Sequence, residues 1–199
     1  ESLNTPEKVI AFFEEYFPDA LDKMPDLGER FFANPTSNLM TVRCSPWNYE
    51  GKVLLIGDAS HAVVPFYGQG LNAGMEDCTI FLDTLEKLNN DMEKAFEIFG
   101  KERVKDGNAI ADLALYNYIE MRDLTGDPDF LLRKKIERKF SDLYPDKWMP
   151  LYSRVTFSHH PYSEALEEGN RQRRIMDEVM EMPNIHDKWD EQAVIDKIL

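Results

Sequence analysis

GDASHAVVPFYGQGLNAGMED, residues 57–77, follows directly on the apolar run VLLI of residues 53–56. It holds four glycines, an early aspartate, a proline and then a helix-like pattern. A carboxylate at the end of a strand-like run stands where open α/β sheets bind ligands. Working outward, Val53 to Ile56 reads as a strand apolar on both faces, as inside a parallel or mixed sheet. Upstream, Asn38 to Cys44 (NLMTVRC) predicts another strand with Met40, Val42 and Cys44 on one face. Residues 45–51 turn the chain between them. Two strands do not make a stable sheet, so the expectation is a sheet completed elsewhere and a chain that is one part of a longer protein. The absence of an initial Met points the same way.

Beyond residue 57 the pattern is helical. Leu71, Met75, Cys78, Phe81/Leu82, Leu85 and Leu88 step by three and four and predict one buried stripe. Further helices are expected at about 91–99, 103–123, 127–143 (opened by Asp127-Pro128) and 162–182, with 148–152 a Pro-interrupted connector and the tail from Pro183 weakly patterned. Before the strands, Thr5-Pro6-Glu7 reads as an N-cap, a first-turn proline and a first-turn acid. The helix it opens runs to about Tyr16 and stops at Pro18, and residues 18–37 read mostly as connection.

The 199 residues, 43% of them hydrophobic, suffice to bury a sizeable core. A net charge of −14 repels phosphate backbones, which argues against nucleic-acid binding. No basic amphipathic stretch suits anionic lipid, and no apolar run approaches the roughly 20 residues of a membrane span. Cys44 and Cys78 share no CxxC spacing and read as reduced core thiols of an intracellular protein.

Several chemistries compete for the opening stretch. Gly68-Gln69-Gly70-Leu71-Asn72-Ala73 matches the dinucleotide fingerprint G-x-G-x-x-[GA], but that motif should follow its strand at once and open a βαβ unit. Here Pro65 intervenes and no strand follows. Asp58, Ser60 and His61 carry the letters of a catalytic triad, yet they crowd into four residues without a nucleophile elbow. His61 is better read as structural. The four histidines show no metal-ligand spacing. What remains is recognition by backbone: Gly68 and Gly70 admit main chain close to a flat ligand, and the helix opening near Leu71 aims free N–H groups and its positive end at it. Flavin, anionic at its N1–C2=O edge when reduced, fits such a place. A tight strand-to-helix connection explains the glycines equally well.

The stretch also resembles the second FAD-binding motif of the single-component, class A aromatic hydroxylases: a strand, Gly-Asp-Ala-x-His, then Pro-x-x-Gly-x-Gly-x-Asn. Gly57, Asp58, Ala59, His61, Pro65, Gly68, Gly70 and Asn72 all match. FFEEYFPDA (12–20), LALYNYIEMRD (113–123) and MPLYSRVTFS (149–158) resemble the branch of that family that acts on kynurenine. The resemblance covers about residues 6–165 and corresponds to the second half of such an enzyme.

It implies an α/β fold of the FAD-dependent aromatic hydroxylase type, a Rossmann-like FAD domain plus a sheet-containing substrate domain. This chain would supply a late strand pair and a mostly helical C-terminal region. Residues 1–50 would end the substrate-binding domain, 51–100 form the second half of the FAD domain, and 101–199 close the substrate pocket. The implied activity is hydroxylation of L-kynurenine to 3-hydroxykynurenine with FAD as cofactor, NADPH as co-substrate and O2, through a C4a-hydroperoxyflavin. Asp58 would contact the ribityl or pyrophosphate region, with Gly57, Gly68 and Gly70 beside it. Leu71 and Asn72 would hold the pyrimidine edge, while Pro65, Phe66 and Tyr67 line the ring, Phe66 and Tyr67 also contacting the substrate. Asn117 and Tyr152 would hydrogen-bond the amino-acid end of the substrate. Met121, one turn after Asn117, reads as core. No catalytic acid, base or nucleophile and no metal ligand is implied. The implied partner is the N-terminal half of the same enzyme, and eukaryotic members associate with the mitochondrial outer membrane. A related hydroxylase of another aromatic acid, or a helical interaction module without chemistry, are the competing readings.

Overall fold

The computed structural model describes residues 2–199, in two compact units that divide between residues 39 and 40. In the first, α1 (Pro6–Tyr16) opens as its sequence predicts: Thr5 Oγ1 accepts from Lys8 N at 3.4 Å, with Pro6 in the first turn. Residues 18–37 are more ordered than expected. They hold α2 (Pro18–Leu21) and α3 (Leu27–Ala33). Pro18 starts a helix as well as stopping one, because the first turn needs no N–H from it. Gly28 brings α3 against α1, where a Cβ would stand 3.1 Å from Pro6 Cβ.

The second unit departs from the expected strands. Residues 40–44 form no ladder, and Val42 N donates to Ala62 O at 2.8 Å as a lone backbone contact. Met40 and Val42 stay 71% and 46% exposed. A strand exists only through its neighbour, and among the described residues none lies alongside. The run 53–56 shortens to β2 (Val53–Leu54), paired antiparallel with β1 (Asn48–Tyr49) in the register Tyr49↔Val53. It forms a small hairpin, closed through Glu50 and Gly51 at positive φ. It is not a buried parallel strand, and Val53 is 53% exposed.

Everything after the hairpin is helical: α4 (Asp58–His61), a 3-10 turn (Pro65–Tyr67), α5 (Gly70–Lys87), α6 (Met92–Glu102) and α7 (Val104–Ile119). A π turn (Glu120–Leu124) follows, then α8 (Pro128–Leu143), α9 (Leu151–Phe157) and α10 (Tyr162–Met180). Asp91 and Asp127 cap α6 and α8 through Lys94 N and Phe130 N. Ser163, in the first turn of α10, is held by a side chain from another helix: Asp106 Oδ1 accepts from Ser163 N at 2.9 Å and from its hydroxyl at 2.6 Å.

The expected stripe on α5 is not its buried face. Leu71, Met75 and Leu82 are 72%, 63% and 61% exposed, and Ala73 and Asp77 turn inward instead. Cys78 is exposed with them; only Cys44 is partly buried, its Sγ 3.2 Å from Ser60 O. Of the connector predicted at 148–152, residues 148–150 are non-helical, and Leu151 and Tyr152 already start α9. The tail holds α11 (Ile185–Lys188) and α12 (Gln192–Ile198).

Two hydrophobic cores organise the helices, and α10 serves both. Its Tyr162 and Ala165 join Ile110, Leu113 and Val155 in the first. Its Met176 and Val179 join Phe140, Trp148, Val194 and Ile198 in the second. Among the described residues no helix is long and apolar enough to cross a membrane.

Candidate functional site

At the end of β2 the chain reverses over Gly57, at φ +59°, a left-handed conformation that favours glycine. A Cβ on Gly74 of α5 would sit 3.5 Å from Gly57 Cα, so turn and helix meet backbone to backbone. Asp58, the next residue, opens α4 and is exposed. A Cβ on Gly70 would lie 4.0 Å from Asp58 Oδ1, which puts this carboxylate beside the start of α5. The Pro65–Tyr67 turn ends on Gly68 at φ +69°, with open space around its Cα. Helix α5 then begins with no side-chain cap, and among the described residues the N–H groups of Gly70, Leu71 and Asn72 find no acceptor. Asn72 Nδ2 donates to Gln69 Oε1 at 3.0 Å, leaving its own carbonyl oxygen free. The structure thus gathers Gly57, Asp58, Gly70, Leu71 and Asn72 around one helix N-terminus. Unpaired N–H donors, a local positive potential and a hydroxyl-accepting carboxylate suit a flat, polar-edged ligand with sugar-like hydroxyls.

A polar network beneath this ledge escaped sequence reasoning. Asp77, fully buried, accepts from Gly57 N at 3.0 Å and Arg103 Nε at 2.7 Å, and pairs with His61 Nε2 at 2.6 Å. Burial pushes its carboxyl up, but the His61, Arg103 and Gly57 hydrogen bonds outweigh that and hold it below the usual range. Arg103 reaches on to Glu76 at 2.5 Å and Asp106 at 3.4 Å. Holding Asp77 inward is what turns the apolar stripe of α5 outward. The false triad dissolves, since the partner of His61 is Asp77 and not Asp58, and Ser60 Oγ donates to Gly57 O at 2.9 Å. His61 packs against buried Trp47 in a tilted arrangement, 5.2 Å between ring centroids, and Trp47 Nε1 donates to Cys44 O. The available signal was a carboxylate one turn after Ala73, on the face that carries no leucine.

The expected substrate residues also meet. Asn117 Nδ2 donates to Phe66 O at 2.7 Å, tying α7 to the 3-10 turn. Phe66 lies on Tyr118 at 4.3 Å, and buried Tyr67 stacks on Tyr152 at 5.6 Å and 18°. Tyr67, Asn117 and Tyr152 line a cavity of about 840 Å³ between α7, α8, α9 and α10. Phe66, Pro65 and Asp58 lie outside its wall. Burial first, then Glu120 and Tyr152, push the Tyr67 hydroxyl well above its ordinary range, so it stays a donor. Met121 is 55% exposed and not core; its Sδ lies 3.4 Å from Asn117 Nδ2. Glu120 and Leu124, which the π turn brings into the wall, and Arg173 from α10 are cavity residues the sequence reading missed. Arg173 stands over the Tyr116 ring at 4.6 Å.

Backbone donors at a helix start, an exposed carboxylate beside them and an aromatic turn next to a cavity make a place whose chemistry suits a flat, polar-edged cofactor. Residues 30–97 match the family described as "FAD binding domain", in keeping with the FAD-dependent hydroxylase fold. The kynurenine 3-monooxygenase of Christiangramia forsetii is 50% identical over 199 residues, all of this chain and 44% of that protein. That of Flavobacterium psychrophilum is 51% identical over 198 residues, again 44% of its length. The Caenorhabditis elegans enzyme of the same name is 44% identical over 183 residues, 89% of this chain and 39% of the relative. Over nearly its whole length the chain is thus similar to kynurenine 3-monooxygenases, and it spans less than half the length of these relatives. The similarity runs through residues 166–199, beyond the reach of the motif resemblance.

Proposed function

We propose that this chain is the C-terminal part of an FAD- and NADPH-dependent monooxygenase that hydroxylates L-kynurenine to 3-hydroxykynurenine with O2. The observation that carries it is the uncapped start of α5 beside Asp58, within a chain half-identical to kynurenine 3-monooxygenases over its full length. Bound FAD would supply electron transfer from NADPH and activation of oxygen. Asp58 would accept from hydroxyls of the cofactor chain. The free N–H groups of α5 and the Asn72 carbonyl would hold its polar ring edge and favour negative charge there. Pro65, Phe66 and Tyr67 would wall the reacting region against water. Asn117 spends its N–H on Phe66, so its carbonyl oxygen is what would meet the substrate ammonium. The Tyr152 hydroxyl would meet the carboxylate. We assign residues 1–50 to the substrate-binding domain, 51–100 to the FAD domain and 101–199 to the pocket closure. The exposed apolar face of α5 is where the N-terminal half of the enzyme would pack.

The test uses the complete protein. It should purify with flavin absorbance, oxidise NADPH faster when kynurenine is added, and release 3-hydroxykynurenine, identified by mass. Flavin binding with hydroxylation of only another aromatic acid would overturn the substrate. Absence of any flavin would favour a helical interaction module.

A further inference from the structure

Asp58, the carboxylate that the flavin-site reading depends on, is exposed, and its side chain has no hydrogen-bond partner among the described residues. Its direction is set by the turn at Gly57, and that turn is pinned from α5. Gly57 N donates to Asp77, its carbonyl accepts from Ser60 Oγ, and its Cα rests against Gly74. Asp77 is not needed merely to neutralise Arg103, because Glu76 and Asp106 also contact that guanidinium. Its specific property is to accept three donors at once: Gly57 and His61 on Oδ2, Arg103 on Oδ1. A carboxylate can do this, whereas an amide must set its NH2 against one of those donors.

We infer that Asp77 is a positioning residue for flavin binding, fixing the Gly57 turn so that Asp58 projects beside the N-terminus of α5. The inference rests on the reading of Asp58 as a flavin ligand, and a double-mutant cycle separates the two. FAD affinity of the complete protein is titrated by flavin fluorescence for wild type, Asp58→Ala, Asp77→Asn and the double variant. Loss of a charge-assisted hydrogen bond should weaken FAD about tenfold in each single variant. If Asp77 acts through Asp58, the double variant binds FAD about as well as Asp58→Ala alone.

Fold losses that multiply, or an Asp77→Asn variant with wild-type affinity, would overturn the inference while leaving the flavin site standing. An Asp58→Ala variant with unchanged affinity would instead overturn the site reading, and the inference with it. Near-ultraviolet circular dichroism checks that each variant is folded. If Asp77→Asn is not, His61→Asn removes one of the three contacts and should show the same non-additivity with Asp58→Ala; additivity there overturns the inference equally.

Discussion

Two helix glycines offer a paired test of the packing. A methyl group at Gly107 in α7 would stand 2.6 Å from Trp47 Cη2, 2.7 Å from Cζ2 and 3.2 Å from His61 Cβ. At Gly169 in α10 it would stand 2.6 and 2.8 Å from the two methyls of Leu151. The nominal clashes are alike and the neighbours are not. Trp47 is 2% exposed, packed against His61 and anchored through Nε1 to Cys44 O, so the ring cannot step aside. Leu151 lies on the cavity wall beside Gly169 and can change rotamer into that space. Both substitutions gain about 1 kcal/mol of helix propensity. Overpacking against the indole costs about 1–3 kcal/mol, so Gly107→Ala should be destabilising by up to about 2 kcal/mol. Gly169→Ala should be neutral or stabilising by up to about 1 kcal/mol. The assay is thermal unfolding of the complete protein by circular dichroism at fixed scan rate and saturating FAD. Equal shifts in the two variants, or a larger loss at Gly169, would refute the contrast between a fixed ring and a movable side chain.

Three further outcomes follow from the same contacts. Asn117→Ala breaks the bond to Phe66 O and leaves that carbonyl without its partner, a loss of about 1–3 kcal/mol. The kynurenine KM should rise about tenfold in steady-state assays, with flavin retained; Tyr152→Phe should show a smaller rise, and loss of flavin would refute both placements. The folded-state pKa of Asp77 lies below the ordinary 3.8, so its stabilisation is complete above that value and is lost as pH falls through the folded one. Urea midpoints measured down an acid series should therefore fall more steeply for wild type than for Asp77→Asn. Ile198→Ala empties part of the second core and should cost about 2–4 kcal/mol. An unchanged melting temperature would show that the tail does not support α8 and α10.

What the sequence revealed was local. Thr5-Pro6, Asp91 and Asp127-Pro128 mark helix starts within four residues, and α1, α6 and α8 follow them. Helices α2, α3, α11 and α12 span only 4 to 7 residues, too few for a periodic stripe to emerge. The strands failed because pairing is non-local: an apolar run does not state what lies beside it. Leucine spacing alone points to the wrong face of α5, because a buried carboxylate gripped by Arg103 and His61 decides the rotation. The site divides the same way. Gly57, Asp58, Gly68, Gly70 and Asn72 sit in one motif and were readable together. Asp77 and Arg103 are brought to Gly57 only by folding, 20 and 46 positions along the chain.

The packing of Trp47 against His61 has an optical consequence. Trp47 and Trp148 are both 2% exposed, while Trp189 lies beneath the ammonium of Lys135 at 3.8 Å. The three indoles therefore sit in distinct surroundings, and only Trp47 touches the residues that grip the Gly57 turn. Its emission is a built-in reporter of that turn. In a protein keeping Trp47 and carrying Phe at positions 148 and 189, fluorescence would follow the strand end alone. A loosened grip by Asp77 could then be seen in an intact, folded molecule without any turnover.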